Sequence, residues 1–162
     1  MSKATGIQKW LYADELSGRF LMLPPEIFEE PAFQKLSHAA RLFYIVLCVH
    51  KETEIQRGCL CKALTEYNQI LNLGKTEQDI LDEAMPNKRT KPWMKTGLFV
   101  APMKQLEAYG YKANYAAKLK RELIDNGFIK VKYGGKGKFN GWNENVTVYQ
   151  FVSDWKLKPT SP

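Results

Sequence analysis

Residues 98–155 confine the chain to few arrangements, because two helical segments, each stopped by a glycine, run directly into two apolar strands. Leu98-Phe99-Val100 reads as a strand. Pro102 suits the first helical position, where its missing N–H costs nothing, and Met103, Leu106 and Tyr109 form a short apolar stripe that Gly110 ends. Tyr111 to Asn114 lead into a second helix over 113–126, followed by Gly127 at the left-handed position that a residue without Cβ adopts freely. Phe128-Ile129-Lys130-Val131-Lys132-Tyr133 then alternates apolar residues with lysine, and Val146 to Phe151 reads as a strand. The two predict a hairpin with a twelve-residue tip.

A short helix, a glycine turn, a longer helix and a hairpin is the order of a winged helix-turn-helix, so the expected fold class is α+β, mainly α. At about 100° per residue, Ala116, Leu119, Lys120 and Leu123 lie within about 50° of one direction, with Asn114, Lys118, Arg121 and Asp125 about 180° away. One face packs and the other is offered to a partner. A helix about 10–12 Å across fits a major groove about 12 Å wide, its N-terminal turns toward the bases. On this reading Asn114 pairs with an adenine edge or a phosphate, and Lys118 and Arg121 reach guanine or backbone oxygens. Tyr111, Lys112 and Tyr115 flank the helix start. The plainer reading is a solvated face whose Lys118–Glu122 and Arg121–Asp125 pairs are worth a few tenths of a kcal/mol each.

Charge separates the two readings. The chain has 162 residues and a net charge of +7. Residues 98–162 hold eleven basic side chains against five acids, whereas residues 1–97 hold thirteen against twelve, so the excess is local to this segment. A basic chain favours polyanions, nucleic acid first and a membrane surface second. The hairpin tip from Gly134 to Trp142 places Lys136 and Lys138 on a glycine-rich backbone with no acid before Glu144, which suits phosphate or minor-groove contact. Its glycine spacing is neither that of a dinucleotide-binding turn nor that of a P-loop, and it joins two strands. Phe139 and Trp142 could stack on a base or fold back on the hairpin.

Upstream, Pro24-Pro25 stops the run Phe20-Leu21-Met22-Leu23, and 26–30 predicts one helical turn. Leu36-Ser37 supplies a hydrophobic residue and an N-cap hydroxyl for a helix in which Ala39, Ala40, Phe43 and Leu47 recur through Val49. Residues 42–49 are apolar almost all round, which predicts a central place in the core. Residues 51–97 read as an insertion. It starts with a helix over about 55–73 bearing the stripe Leu60, Leu64, Tyr67 and Leu71 and ending at Gly74. A shorter helix follows, opened by Thr76 with Asp79 and closed by Pro86, and then a basic loop in which Lys88, Arg89, Lys91 and Lys95 surround Trp93. The expected organisation is an arm over 1–19, a single domain over 20–155 and a tail over 156–162.

Several function classes are not expected. The start, MSKATGIQKWLYADEL, lacks the apolar run of a signal peptide and no stretch is long enough to span a bilayer, so the expectation is a cytoplasmic protein without membrane contact. Cys48, Cys59 and Cys61 then stay as thiols. A zinc site from them and His50 can be written down, but the C-x-C spacing is not the usual one, and whether these cysteines bind metal stays open. His38 and His50 lie on or beside the apolar helix, and no nucleophile, base and orienting group assemble from local motifs, so neither catalysis nor a cofactor is expected.

The residues also carry a resemblance. Phe20-Leu-Met-Leu-Pro24, Pro31-Ala-Phe33 and Leu36-Ser37-x-x-Ala40-Arg41-Leu42-Phe43-Tyr44 are followed by Tyr115-x-x-Lys118-Leu119-x-x-Glu122-Leu123-x-x-x-Gly127-Phe128-Ile129 and Val148-Tyr149-x-Phe151-x-x-x-Trp155. Together, over most of residues 20–155, they resemble the winged helix-turn-helix proteins of plasmid, phage and conjugative-element replication initiators. The resemblance implies a duplex DNA-binding protein of a mobile element, acting in replication initiation or transcriptional regulation. The alternative is a protein–protein interaction module on the same scaffold with little DNA affinity. A homodimer, and a replication or regulatory protein as partner, stay open.

Overall fold

The computed structural model describes residues 25–84, 97–134 and 146–152. A 3-10 turn over Pro25–Glu29 and a short helix α1, Pro31–Gln34, lead to α2, His38–Lys51. Ser37 caps α2 as its position foretells, its hydroxyl accepting from the Ala40 N–H at 3.1 Å. Thr53 does the same for α3, Glu54–Leu71. That helix stops two residues before the expected end. Asn72, at φ 49°, is the left-handed C-cap, a conformation asparagine tolerates, and Gly74, at φ 69°, lies beyond the helix end. Leu71, the last helical residue, is exposed although it keeps the spacing of the stripe, while Leu60, Ala63, Leu64 and Tyr67 are buried. Thr76 and Asp79 exchange reciprocal 3.1 Å hydrogen bonds, the predicted capping box, at the start of α4, Glu77–Ala84.

Strand β1, Leu98–Val100, precedes α5, Met103–Glu107, and α6, Ala113–Asp125; then come β2, Ile129–Tyr133, and β3, Val148–Phe151. Helices dominate, with one small antiparallel sheet in the order β1-β3-β2. The hairpin pairs as expected, although β3 begins at Val148. It carries an irregularity in which Val131 faces Tyr149 and Tyr133 faces Val148, leaving Lys132 as the extra residue. The expected alternation along β2 is therefore only partial, and Val131 on this outer strand is exposed.

Two cores flank the sheet. Phe33, Phe43, Leu47, Leu106, Ala116, Leu119, Leu123 and Phe128 form the larger one with Phe99 of β1. Leu60, Ala63, Leu64, Tyr67, Ile80 and Ala84 form the other with Leu98, Val100 and Val148. Alternate residues of β1 thus enter opposite cores, as strand geometry requires. The helices of the segment read as an insertion are a covering layer on the sheet.

His50 pins the layers together. Its ring is fully buried, with Nε2 3.0 Å from the Val100 carbonyl and Nδ1 3.2 Å from the Tyr109 hydroxyl. A carbonyl only accepts, so Nε2 carries the proton and Nδ1 accepts from Tyr109. Burial, the largest influence, also pushes the imidazole below its ordinary pKa, toward the neutral form this arrangement needs. Both ring nitrogens being engaged, His50 is no zinc ligand. Among the described residues no group of three or more His, Cys, Asp or Glu is placed to hold a metal ion. The neighbouring Val100 N–H donates to Gln56 Oε1 at 2.8 Å, which satisfies a second buried polar side chain.

The expectation for residues 42–49 is corrected. Ala40, Phe43, Leu47 and His50 are buried, but Leu42 is 57% and Val49 44% exposed, so α2 has one covered face and one open one. A helix apolar on all sides gives no sequence signal of which side its neighbours take.

Candidate nucleic-acid interface

The turn between α5 and α6 is built by Gly110, at φ 89°, whose N–H reaches the Glu107 carbonyl at 2.9 Å. Pro102 stands at the N-cap of α5, one place before the expected first helical position, with an extended ψ of 149°. Helix α6 ends in a Schellman motif: Phe128 N–H bonds the Leu123 carbonyl and Gly127 N–H the Ile124 carbonyl, with Gly127 at φ 80°. This return drops Phe128 and Ile129 into the larger core and fixes which side of α6 faces outward.

That side is the expected one. Ala116, Leu119 and Leu123 are buried, whereas Lys112, Asn114, Tyr115, Lys118 and Arg121 are all exposed, together with Ala117 and Asp125. Lys112 is the N-cap, its side chain makes no capping bond, and the first turn contains no acid. The first N–H groups of α6 therefore keep their hydrogen-bonding capacity beside a basic side chain, a setting that favours anions. Tyr111 packs edge-on against Phe43 at 5.0 Å and stacks on Tyr115 at 6.3 Å, so an anchored ring orients an exposed one.

The pairing of Lys118 with Glu122 considered above gives way to a different use of that carboxylate. Glu122 accepts from the Ser37 N–H and the Ser37 hydroxyl, both at 2.8 Å. It thereby crosses from α6 to the N-terminus of α2, where the helix dipole favours a negative charge. The carboxylate of the Glu-Leu pair is turned to the scaffold, away from the basic face. Replacing Glu122 with alanine removes two hydrogen bonds to an anion on a half-buried residue. It should cost about 1–2 kcal/mol in a urea titration; a loss within about 0.5 kcal/mol, the range of an ordinary surface change, would contradict the geometry.

Lys120 belongs to the inner side. Its ammonium donates to the Ala101 carbonyl at 3.0 Å and lies 5.1 Å from the Tyr149 ring centroid. Burial nonetheless pushes it down to about 8 from 10.5. Between those values the unfolded chain binds a proton that the folded chain does not, so stability rises with pH across that window. Lys51, also lowered by burial, acts in the same sense. Cys48, raised by burial from 9.0 to about 12, acts oppositely above pH 9. Unfolding free energy should therefore climb between about pH 7.5 and 9, and Lys120→Met should flatten most of that climb. An unchanged slope in the variant would contradict the assignment.

Three further exposed lysines have no distinguishing mark in the sequence: Lys104 on α5, and Lys130 and Lys132 on β2. The alternation of lysine along β2 is visible there, but it reads equally as the solvent side of any strand. Lys136, Lys138, Phe139, Trp142 and the basic loop around Trp93 lie outside the described residues. Among the described residues no helix is long and apolar enough to cross a membrane. Comparison with known protein families, curated proteins and solved structures finds no match to this chain.

Proposed function

We propose that the chain binds duplex DNA, with α5, the Gly110 turn and α6 acting as a helix-turn-helix and the β2–β3 hairpin as its wing. The supporting observation is the joint exposure of Asn114, Lys118 and Arg121 on one face of α6 while Glu122 is held by Ser37 on the scaffold. An exposed helix face with an amide, an ammonium and a guanidinium offers donors for base edges and cations for phosphates, with Ala117 between them small enough for close approach. Lys112 and Tyr115 contact the backbone at the helix start, and Lys136 and Lys138 add phosphate contacts from the wing. Taken with the resemblance drawn from the sequence, the role is that of a mobile-element protein in replication initiation or transcriptional regulation.

The test is selection of bound duplexes from a random pool, followed by anisotropy titration of the enriched sequence over a range of salt. Contact with about 4–6 phosphates gives a slope of log K against log salt of about −4 to −5. Failure to enrich any sequence, with no binding to duplex at low salt, would overturn the proposal.

A further inference from the structure

We infer that the open face of α2 is a self-association surface, against which a second copy of this chain packs its own α2. Leu42, Ile45, Val46 and Val49 stand at the i, i+3, i+4 and i+7 positions that share one side of a helix. None of the four belongs to either core; Leu42 and Val49 are exposed, and Ile45 and Val46 between them are half-buried. Ile55, close in the chain at the start of α3, is 68% exposed. With the exposures of Leu42 and Val49, this comes to on the order of 300 Å² of aliphatic surface, the size of the largest patch on a typical monomer, which is often functional. A dimer of ordinary size covers about 800 Å² per partner, about 60% of it apolar, so the patch supplies most of the apolar area such an interface uses.

Charge selects the occupant. Arg41 and Lys51 are the only Lys, Arg, Asp or Glu residues of α2, and both turn back on their own chain. Arg41 Nε donates to the carbonyls of Phe33 and Leu36 at 3.1 and 3.2 Å, and its guanidinium also bonds the Gln34 carbonyl. The Lys51 ammonium lies 5.7 Å from the Phe151 ring centroid. The stripe thus offers nothing to recruit an acidic or a basic partner, and two copies meet without like-charge conflict. It is also self-matching. A two-fold axis between Ile45 and Val46 sets Leu42 of one antiparallel helix against Val49 of the other, the isologous arrangement that closes a dimer. The surface shares no residue with the exposed face of α6, so the inference stands apart from DNA binding.

Sedimentation equilibrium of the full chain without DNA, from about 1 to 200 μM, tests it. The expected result is a monomer–dimer equilibrium with Kd of about 10–100 μM. Leu42→Glu with Val49→Glu should weaken it at least about 100-fold, since each copy would bury unpaired carboxylates. The milder pair Leu42→Ser with Val49→Ser should weaken it more than about 10-fold, with circular dichroism unchanged. Leu81→Glu, at an exposed leucine on α4, should leave it as in the wild type. A wild-type chain that stays monomeric to about 200 μM would overturn the inference, as would a dimer indifferent to both substitution pairs.

Discussion

Reversing the charge of Lys118 and Arg121 together, in the double variant K118E/R121E, is expected to lower affinity for the selected duplex by about 10³-fold while leaving the circular dichroism unchanged. A side chain reading a base edge or gripping a phosphate is worth about 1–3 kcal/mol, and about 1.4 kcal/mol is a factor of ten. Removing both side chains, and setting carboxylates against phosphates in their place, combines to that magnitude. Both are exposed on a helix whose opposite face is fully packed, so the substitution acts on the partner and not on the fold. Lys35→Glu with Lys62→Glu makes the same change in net charge at exposed positions off α6. This control should cost less than about 10-fold, the long-range part of the field alone. Equal losses in the two double variants would mean that overall charge, not the α6 face, governs binding.

The second large effect is on stability. Phe43→Ala should cost about 3–5 kcal/mol, a large share of the roughly 5–15 kcal/mol that holds a domain folded. Phe43 is fully buried in the core shared with α6, and its ring supports Tyr111 at the start of that helix. Leu42→Ala, one residue earlier and more than half exposed, should cost under about 0.5 kcal/mol when measured on dilute monomer. Urea titrations of the two variants side by side report the rotation of α2 about its axis. Equal losses would show that the helix is buried on both sides.

That pair also marks where the sequence is legible. Helix α6 can be read because its apolar residues recur on one side, with glycines at both ends, and the structure finds the same sides buried and exposed. Helix α2 can be located, through Ser37, but not oriented, because aliphatic residues surround it. The capping box at Thr76 and Asp79 is local and therefore readable; the end of α3 is not, because Asn72 and Gly74 can each take a left-handed conformation. Interactions between residues distant in the chain leave no trace in it. The Glu122–Ser37 tie spans 85 residues and the His50–Tyr109 hydrogen bond 59, and neither has a periodic signature. The same holds for β1, recognisable as a strand but with no local indication that its partner is the last strand in the chain, which lies at the centre of the sheet.

The β1–β3 pairing has a consequence for how the chain is made. Leu98-Phe99-Val100 leaves the ribosome about fifty residues ahead of the strand that completes its hydrogen bonds, a delay of about 3–10 s at ordinary elongation rates. Helices α3 and α4 have already been synthesised by then, and they hold the surface on which Leu98 and Val100 come to rest. The segment that interrupts the helical order is thus made before the apolar strand it covers, and that side of the sheet has its covering layer in the chain ahead of its pairing strand.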